Sequence, residues 1–235
     1  MKQTTIAKGE IPWISQENPV RPPMLPLFGK VKPFLLTTAE VESVLRPIPP
    51  PSTSSAQFKK ELEEVYQVTA HLTREQESIC IAWADGVRTY TPPGHWNYIA
   101  SEDFVHQRIS EVRWARNLAL LNMALMDAAI VCWSAKYYYF NPRPMQIDAR
   151  IKTTVGVPNF PAYVSGHSTI SGASAAVLSH LTPSRSAHYY SLAREASESR
   201  IYGGIHFRSD CEEGLKSGYK VGDYAVKRAL IDGAE

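Results

Sequence analysis

The chain has 235 residues, with 25 Lys and Arg against 23 Asp and Glu, a formal net charge of +2, and 44% hydrophobic and 20% charged residues. That length supports one sizeable core, and the composition excludes an unstructured chain or a fibrous repeat. The cations are scattered rather than gathered in a stripe, so nucleic acid is not an expected partner.

The N-terminus, MKQTTIAKGEIPW, has a lysine but no apolar stretch, and no signal peptide is visible. The expectation is a soluble protein, cytoplasmic by default and exported if the natural chain begins further upstream. Residues 1–52 read as a proline-rich extended arm, because 10 of the 17 prolines fall before residue 52 and proline removes backbone donors and fixes φ. Trp13, Met24, Leu25, Leu27, Phe28 and Phe34 make this arm too apolar for a free linker. It is expected to lie along a surface of this or another chain.

Residues 53–235 read as one helical domain. Phe58, Leu62, Val65 and Val68 repeat at three-and-four spacing, the pattern of a helix face, and Thr73 with Gln76 forms a capped start for a second helix. TPPGH is expected to break the chain. A long central helix then runs from Ser101, as N-cap, to about Phe140 and stops at Asn141-Pro142. Its most apolar part is cut by Asn122 and Asp127, so no membrane span is expected. Further helices are expected over about 166–181, 184–202 and 206–230, the second of them ending at Gly203-Gly204. Cys80, Cys132 and Cys211 are widely and irregularly spaced, which suits small core residues rather than a disulfide framework or zinc site. Strand alternation is absent, and the expected fold is an all-α bundle of about six helices.

Three segments concentrate polar groups that a core would not select. Lys136 near the end of the central helix and Arg143, held extended by Pro144, place two cations within reach of one anion. Ser165, Gly166 and His167 open a helix whose N-terminal N–H groups and dipole favour an anion. Arg200 adds a third cation, while His206 and Asp210, four apart, suit one helix face on which the carboxylate fixes the imidazole tautomer. Each element alone is ordinary surface or capping chemistry. Together, three cations and two histidines repel one another unless an oxyanion neutralises them.

The spacing of these residues resembles the signature shared by vanadium-dependent haloperoxidases, bacterial acid phosphatases and lipid phosphate phosphatases. It runs Lys136, six residues, Arg143-Pro144; then Ser165-Gly166-His167; then Ser199-Arg200, five residues, His206, three residues, Asp210. The resemblance implies an all-helical fold in which Lys136, Arg143, Ser165, Gly166, His167 and Arg200 surround vanadate or phosphate. It also implies that His206 bonds the central atom as the metal ligand, that His167 is the acid–base on the opposite side, and that Asp210 orients His206. WADGVRTYTPPGHWN resembles the haloperoxidase segment whose Asp pairs with the last arginine, which makes Asp85 the implied partner of Arg200. Trp133 and Phe160 match pocket-wall positions of the chloroperoxidase-like branch, while Val164 departs from the proline usual before the Ser. The implied activity is vanadate-dependent oxidation of halide by hydrogen peroxide; the alternative is an acid phosphatase that hydrolyses a phosphomonoester through a phosphohistidine at His206. Larger haloperoxidases carry a further helical bundle upstream of the arm, so a homodimer partner or such a bundle is expected to pack on it.

Overall fold

A computed structural model describes residues 12–16, 19–86 and 88–233. Among them ten α-helices follow one another: α1 (Trp13–Gln16), α2 (Thr38–Glu42), α3 (Ala56–Ala70), α4 (Arg74–Ala82), α5 (Thr91–Gln107), α6 (Glu111–Tyr139), α7 (Pro144–Ile147), α8 (Gly166–Leu181), α9 (Ser186–Tyr202) and α10 (Arg208–Ile231). Two 3-10 turns, Phe28–Lys30 and Pro183–Arg185, complete the set, and no strand occurs among the described residues. The fold is all-α, as the sequence pattern indicates.

The number of helices exceeds six because three short ones, α1 and α2 in the arm expected to be extended and α7 in the loop after Arg143, add to the set, and because one expected long helix is two. TPPGH does not break the chain; it starts α5, with proline at the first positions, where a missing N–H costs nothing. The long stretch to Phe140 is two helices rather than one. Arg108 takes a left-handed conformation (φ 54°), and Ser110, not Ser101, caps α6 by accepting from the Arg113 N–H.

Helix α6 runs through the middle and packs against α8 and α10, and α8 is further covered by α9. The core joins Leu121, Ala124, Leu125 and Ala128 of α6 to Ala173, Val177 and Leu178 of α8, Tyr189 and Ala193 of α9, and Val221 and Ala225 of α10. The α8–α10 contact is a seam of small residues: a Cβ on Gly172 would lie 2.6 Å from the Leu215 carbonyl oxygen. That close approach brings the N-termini of both helices to one place. The segment Glu111–Ile147 contains an 18-residue stretch long and apolar enough to cross a membrane, with mean hydropathy 1.7, but 56% of that stretch is buried inside the fold.

The arm is part of the same core. Leu36, Val41 and Leu45 are buried in it, and the Asp127 carboxylate, fully buried on α6, accepts backbone N–H bonds from Phe34 (2.8 Å), Leu35 (2.7 Å) and Leu36 (3.1 Å). Gly29 lies so close to α6 that a Cβ would sit 2.5 Å from the Ser134 Cα. Beside it the Phe28 ring meets the edge of Trp133, with centroids 6.0 Å apart.

Candidate oxyanion site

Lys136 comes from the last turn of α6 and is fully buried. Its ammonium donates to the carbonyls of Pro161 (2.9 Å), Ala162 (2.8 Å) and Val164 (2.6 Å), using all three protons to fix the loop that leads into α8. Burial pushes its pKa down to about 8, although the Asp210 charge opposes the shift. Arg143, also fully buried, is extended at the start of α7 (φ −92°, ψ 158°), as the following proline requires. Its guanidinium donates to the carbonyls of Ile205 (2.8 Å) and Phe160 (3.0 Å) and approaches His206 Nε2 at 3.4 Å.

Ser165 is the N-cap of α8; its Oγ accepts from the Ser168 N–H, and its own N–H donates to the Asp210 carbonyl at 2.9 Å. That bond ties the second sequence segment to the third. Gly166 begins α8, where backbone N–H groups have no partner inside the helix. Arg200, 1% exposed on α9, donates to Ser199 Oγ and to the Cys80 carbonyl.

His206 and Asp210 meet, but not as two side chains on one helix face. His206 precedes α10, and Asp210 sits in its first turn, where one carboxylate oxygen accepts from both His206 Nδ1 (2.9 Å) and the Phe207 N–H (3.0 Å). The same carboxylate thus caps the helix and orients the imidazole. With Nδ1–H donating to Asp210, Nε2 is the unprotonated nitrogen, and its lone pair faces an Arg143 N–H at 3.4 Å. Burial, then the charge of Arg143, depresses the His206 pKa well below its ordinary value, which keeps the ring neutral. Burial raises the Asp210 carboxyl to about 7. Glu61 of α3, 5% exposed, supports this corner by accepting from the N–H (3.1 Å) and hydroxyl (2.7 Å) of Ser209.

His167 lies in the first turn of α8 with its side chain 16% exposed, and its Nε2 is buried with no hydrogen-bond partner. Burial and the Arg200 charge depress its pKa too. Asp85, in a left-handed turn (φ 40°), does not pair with Arg200 as implied. Its carboxylate lies 3.1 and 3.2 Å from His95 Nδ1 and 3.8 Å from His167 Nε2, and Arg200 feels it only as a nearby charge. The turn carries the carboxylate toward the two histidines instead. His95 lies in the TPPGH segment, which reads in the sequence as a chain break; the prolines of a first helical turn are the local signal for a helix there.

Trp133 and Phe160 do form one wall: their rings lie 4.9 Å apart, and Phe160 also stacks near Lys136 (5.0 Å) and Arg143 (5.3 Å). Phe28 extends this aromatic row from the arm. Neither Lys136 nor Arg200 has a carboxylate within 4.0 Å among the described residues. Buried positive charge, two neutral imidazoles and a helix N-terminus can hold a tetrahedral anion and move a proton beside it. No group of three His, Cys, Asp or Glu among the described residues could hold a bare metal ion.

Residues 117–226 match the PAP2 superfamily. A bacterial vanadium-dependent iodoperoxidase is similar over 97% of this chain and 62% of its own, at 28% identity and a TM-score of 0.81. A bacterial vanadium-dependent chloroperoxidase in its apo form is similar over 88% of this chain and 56% of its own (14% identity, TM-score 0.74). A transmembrane PAP2-type phosphatidylglycerolphosphate phosphatase from Bacillus subtilis shares the fold over 78% of this chain and 92% of its own, at 16% identity and a TM-score of 0.55. The chain thus spans less than two thirds of the haloperoxidases it resembles. No curated protein sequence matches it significantly.

Proposed function

We propose that the protein is a vanadate-dependent haloperoxidase that oxidises halide with hydrogen peroxide to hypohalous acid. The observation that carries this reading is the burial of Lys136, Arg143 and Arg200, at 0, 0 and 1% exposure, around His206, whose unprotonated Nε2 faces Arg143. Buried charge is costly unless compensated, and a tetrahedral oxyanion supplies the compensation. The similarity to an iodoperoxidase over nearly the whole chain supports vanadate over phosphate, as does the aromatic wall.

In this reading Ser165 Oγ, the Gly166 N–H, Arg143 and Arg200 hold the oxygens of vanadate, and His206 Nε2 is the ligand to its central atom. Bound vanadate supplies Lewis acidity that activates hydrogen peroxide toward halide. Lys136 contributes positive charge and keeps the loop before α8 in place; contact with the anion requires it to exchange one of its three carbonyls. His167 Nε2, free of other partners, holds and delivers the proton that each conversion of halide and peroxide to hypohalous acid and water consumes. Trp133 and Phe160 keep water from one side of the cage.

Phosphate-free protein loaded with orthovanadate should iodinate or brominate a dye in a peroxide-dependent way, and His206→Ala should not. Hydrolysis of p-nitrophenyl phosphate that vanadate inhibits, without halogenation, would replace this reading with an acid phosphatase using His206 as nucleophile.

A further inference from the structure

Resting on that reading of the cage, we infer that His95 is the outer member of a proton relay, His95–Asp85–His167, that connects the buried acid–base histidine to an open cleft. A proton consumed at each turnover has to reach His167 Nε2, which is buried although the His167 side chain is 16% exposed, beside a cage in which Lys136, Arg143, Ser165, Arg200, His206 and Asp210 are all 3% exposed or less. The Asp85 side chain, 6% exposed, stands between two imidazoles. One carboxylate reaches His95 Nδ1 at 3.1 Å, and its Oδ2 lies 3.8 Å from the unpartnered Nε2 of His167. The relay requires the His167 ring to turn toward Asp85 until that gap reaches hydrogen-bond length.

The outer ring is placed for exchange with solvent. His95 lies in the first turns of α5 with its side chain 24% exposed, stacked on Trp83 at 4.2 Å between centroids, and Trp83 is itself held by an indole N–H bond of 2.8 Å to Glu195. His95 and Trp83 form the inner wall of a cleft of about 330 Å³ that also presents Glu102, His188 and Glu195. These last three residues are exposed.

The transfer balances without any redox partner. A solvent proton adds to His95 Nε2, the His95 Nδ1–H bond breaks as an Asp85 O–H bond forms, and that bond breaks as the His167 Nε2–H bond forms. Exchange with water, Nε2 losing a proton and Nδ1 gaining one, restores the starting tautomer. The charges facing the relay are Arg200, which acts on both Asp85 and His167, and Lys136, which acts on His167 from α6.

His95→Gln tests this, because the amide still donates to Asp85 but cannot pass a proton on. By NMR on histidine-labelled protein, exchange of the His167 ring proton with solvent should slow about tenfold, within the range that general acid–base groups contribute. In the vanadate-loaded enzyme at low buffer concentration, kcat for iodide oxidation should fall about tenfold with KM unchanged. Added imidazole should restore His95→Ala, which also serves if the Gln variant fails to fold. Unchanged exchange at His167, or a kcat equal to wild type, would overturn the relay. Slowed exchange in a protein that turns over neither halide nor phosphate ester would uphold the relay and reject the haloperoxidase reading.

Discussion

At the residue scale, Lys136 determines how the cage responds to pH. Its ammonium is satisfied by three carbonyls, yet burial lowers its pKa to about 8. The folded protein therefore holds this charge below about pH 8 and loses it above. A bound oxyanion favours the charged form, so binding takes up a proton on the alkaline side, and phosphate affinity should weaken by up to about tenfold per pH unit there. Calorimetric titrations should show that slope in wild type and not in Lys136→Met. Asp210 acts through His206: without its carboxylate neither tautomer nor ring orientation is fixed. Asp210→Ala should weaken vanadate affinity about 10- to 100-fold, the usual cost of losing the partner that orients a metal-bound histidine. Equal affinity would leave Asp210 with only its helix-capping bond to Phe207.

At the scale of elements, the decisive contact is the arm on α6. Asp127 is a buried carboxylate serving three consecutive backbone N–H groups, so Asp127→Ala leaves those donors unsatisfied. The change should destabilise the protein by about 3 kcal/mol, since hydrogen bonds to charged groups contribute about 1.5–3 kcal/mol each and some donors regain water. Urea unfolding measures that loss, and limited proteolysis should then cut near residues 34–36. The sequence pattern carried the spacing of α3, α4, α8 and α9 well, since apolar periodicity and caps such as Thr73 and Ser165 are local signals. It misplaced the start of α6, because Ser101 and Ser110 are both acceptable N-caps and only the left-handed Arg108 separates α5 from α6. Asp127 read as an interruption of an apolar run. Its partners lie more than 90 positions away, beyond any local pattern.

At the scale of the whole molecule, four helices and two loops converge to hold positive charge away from water, a cost that the carbonyls on Lys136 and Arg143 offset in part. Oxyanion binding should therefore stabilise the fold globally. Orthovanadate or phosphate at about 100 times its Kd should add about 2.7 kcal/mol, seen as a rise of several degrees in Tm that His206→Ala reduces for vanadate. The grouping of Lys136, Arg143, Ser165, His167, Arg200, His206 and Asp210 was legible because fixed spacings place each at a helix end. The partner of Asp85 was not, since the turn that aims its carboxylate at His95 depends on where α5 begins. The central claim is that these helix ends enclose one oxyanion held by His206. A crystal structure of the vanadate-soaked protein tests it most directly. The account predicts vanadium bonded to His206 Nε2, with its oxygens facing Arg143, Arg200 and the N-terminus of α8. Vanadium bound elsewhere, or a cage that stays closed by its own carbonyls at saturating vanadate, would contradict it.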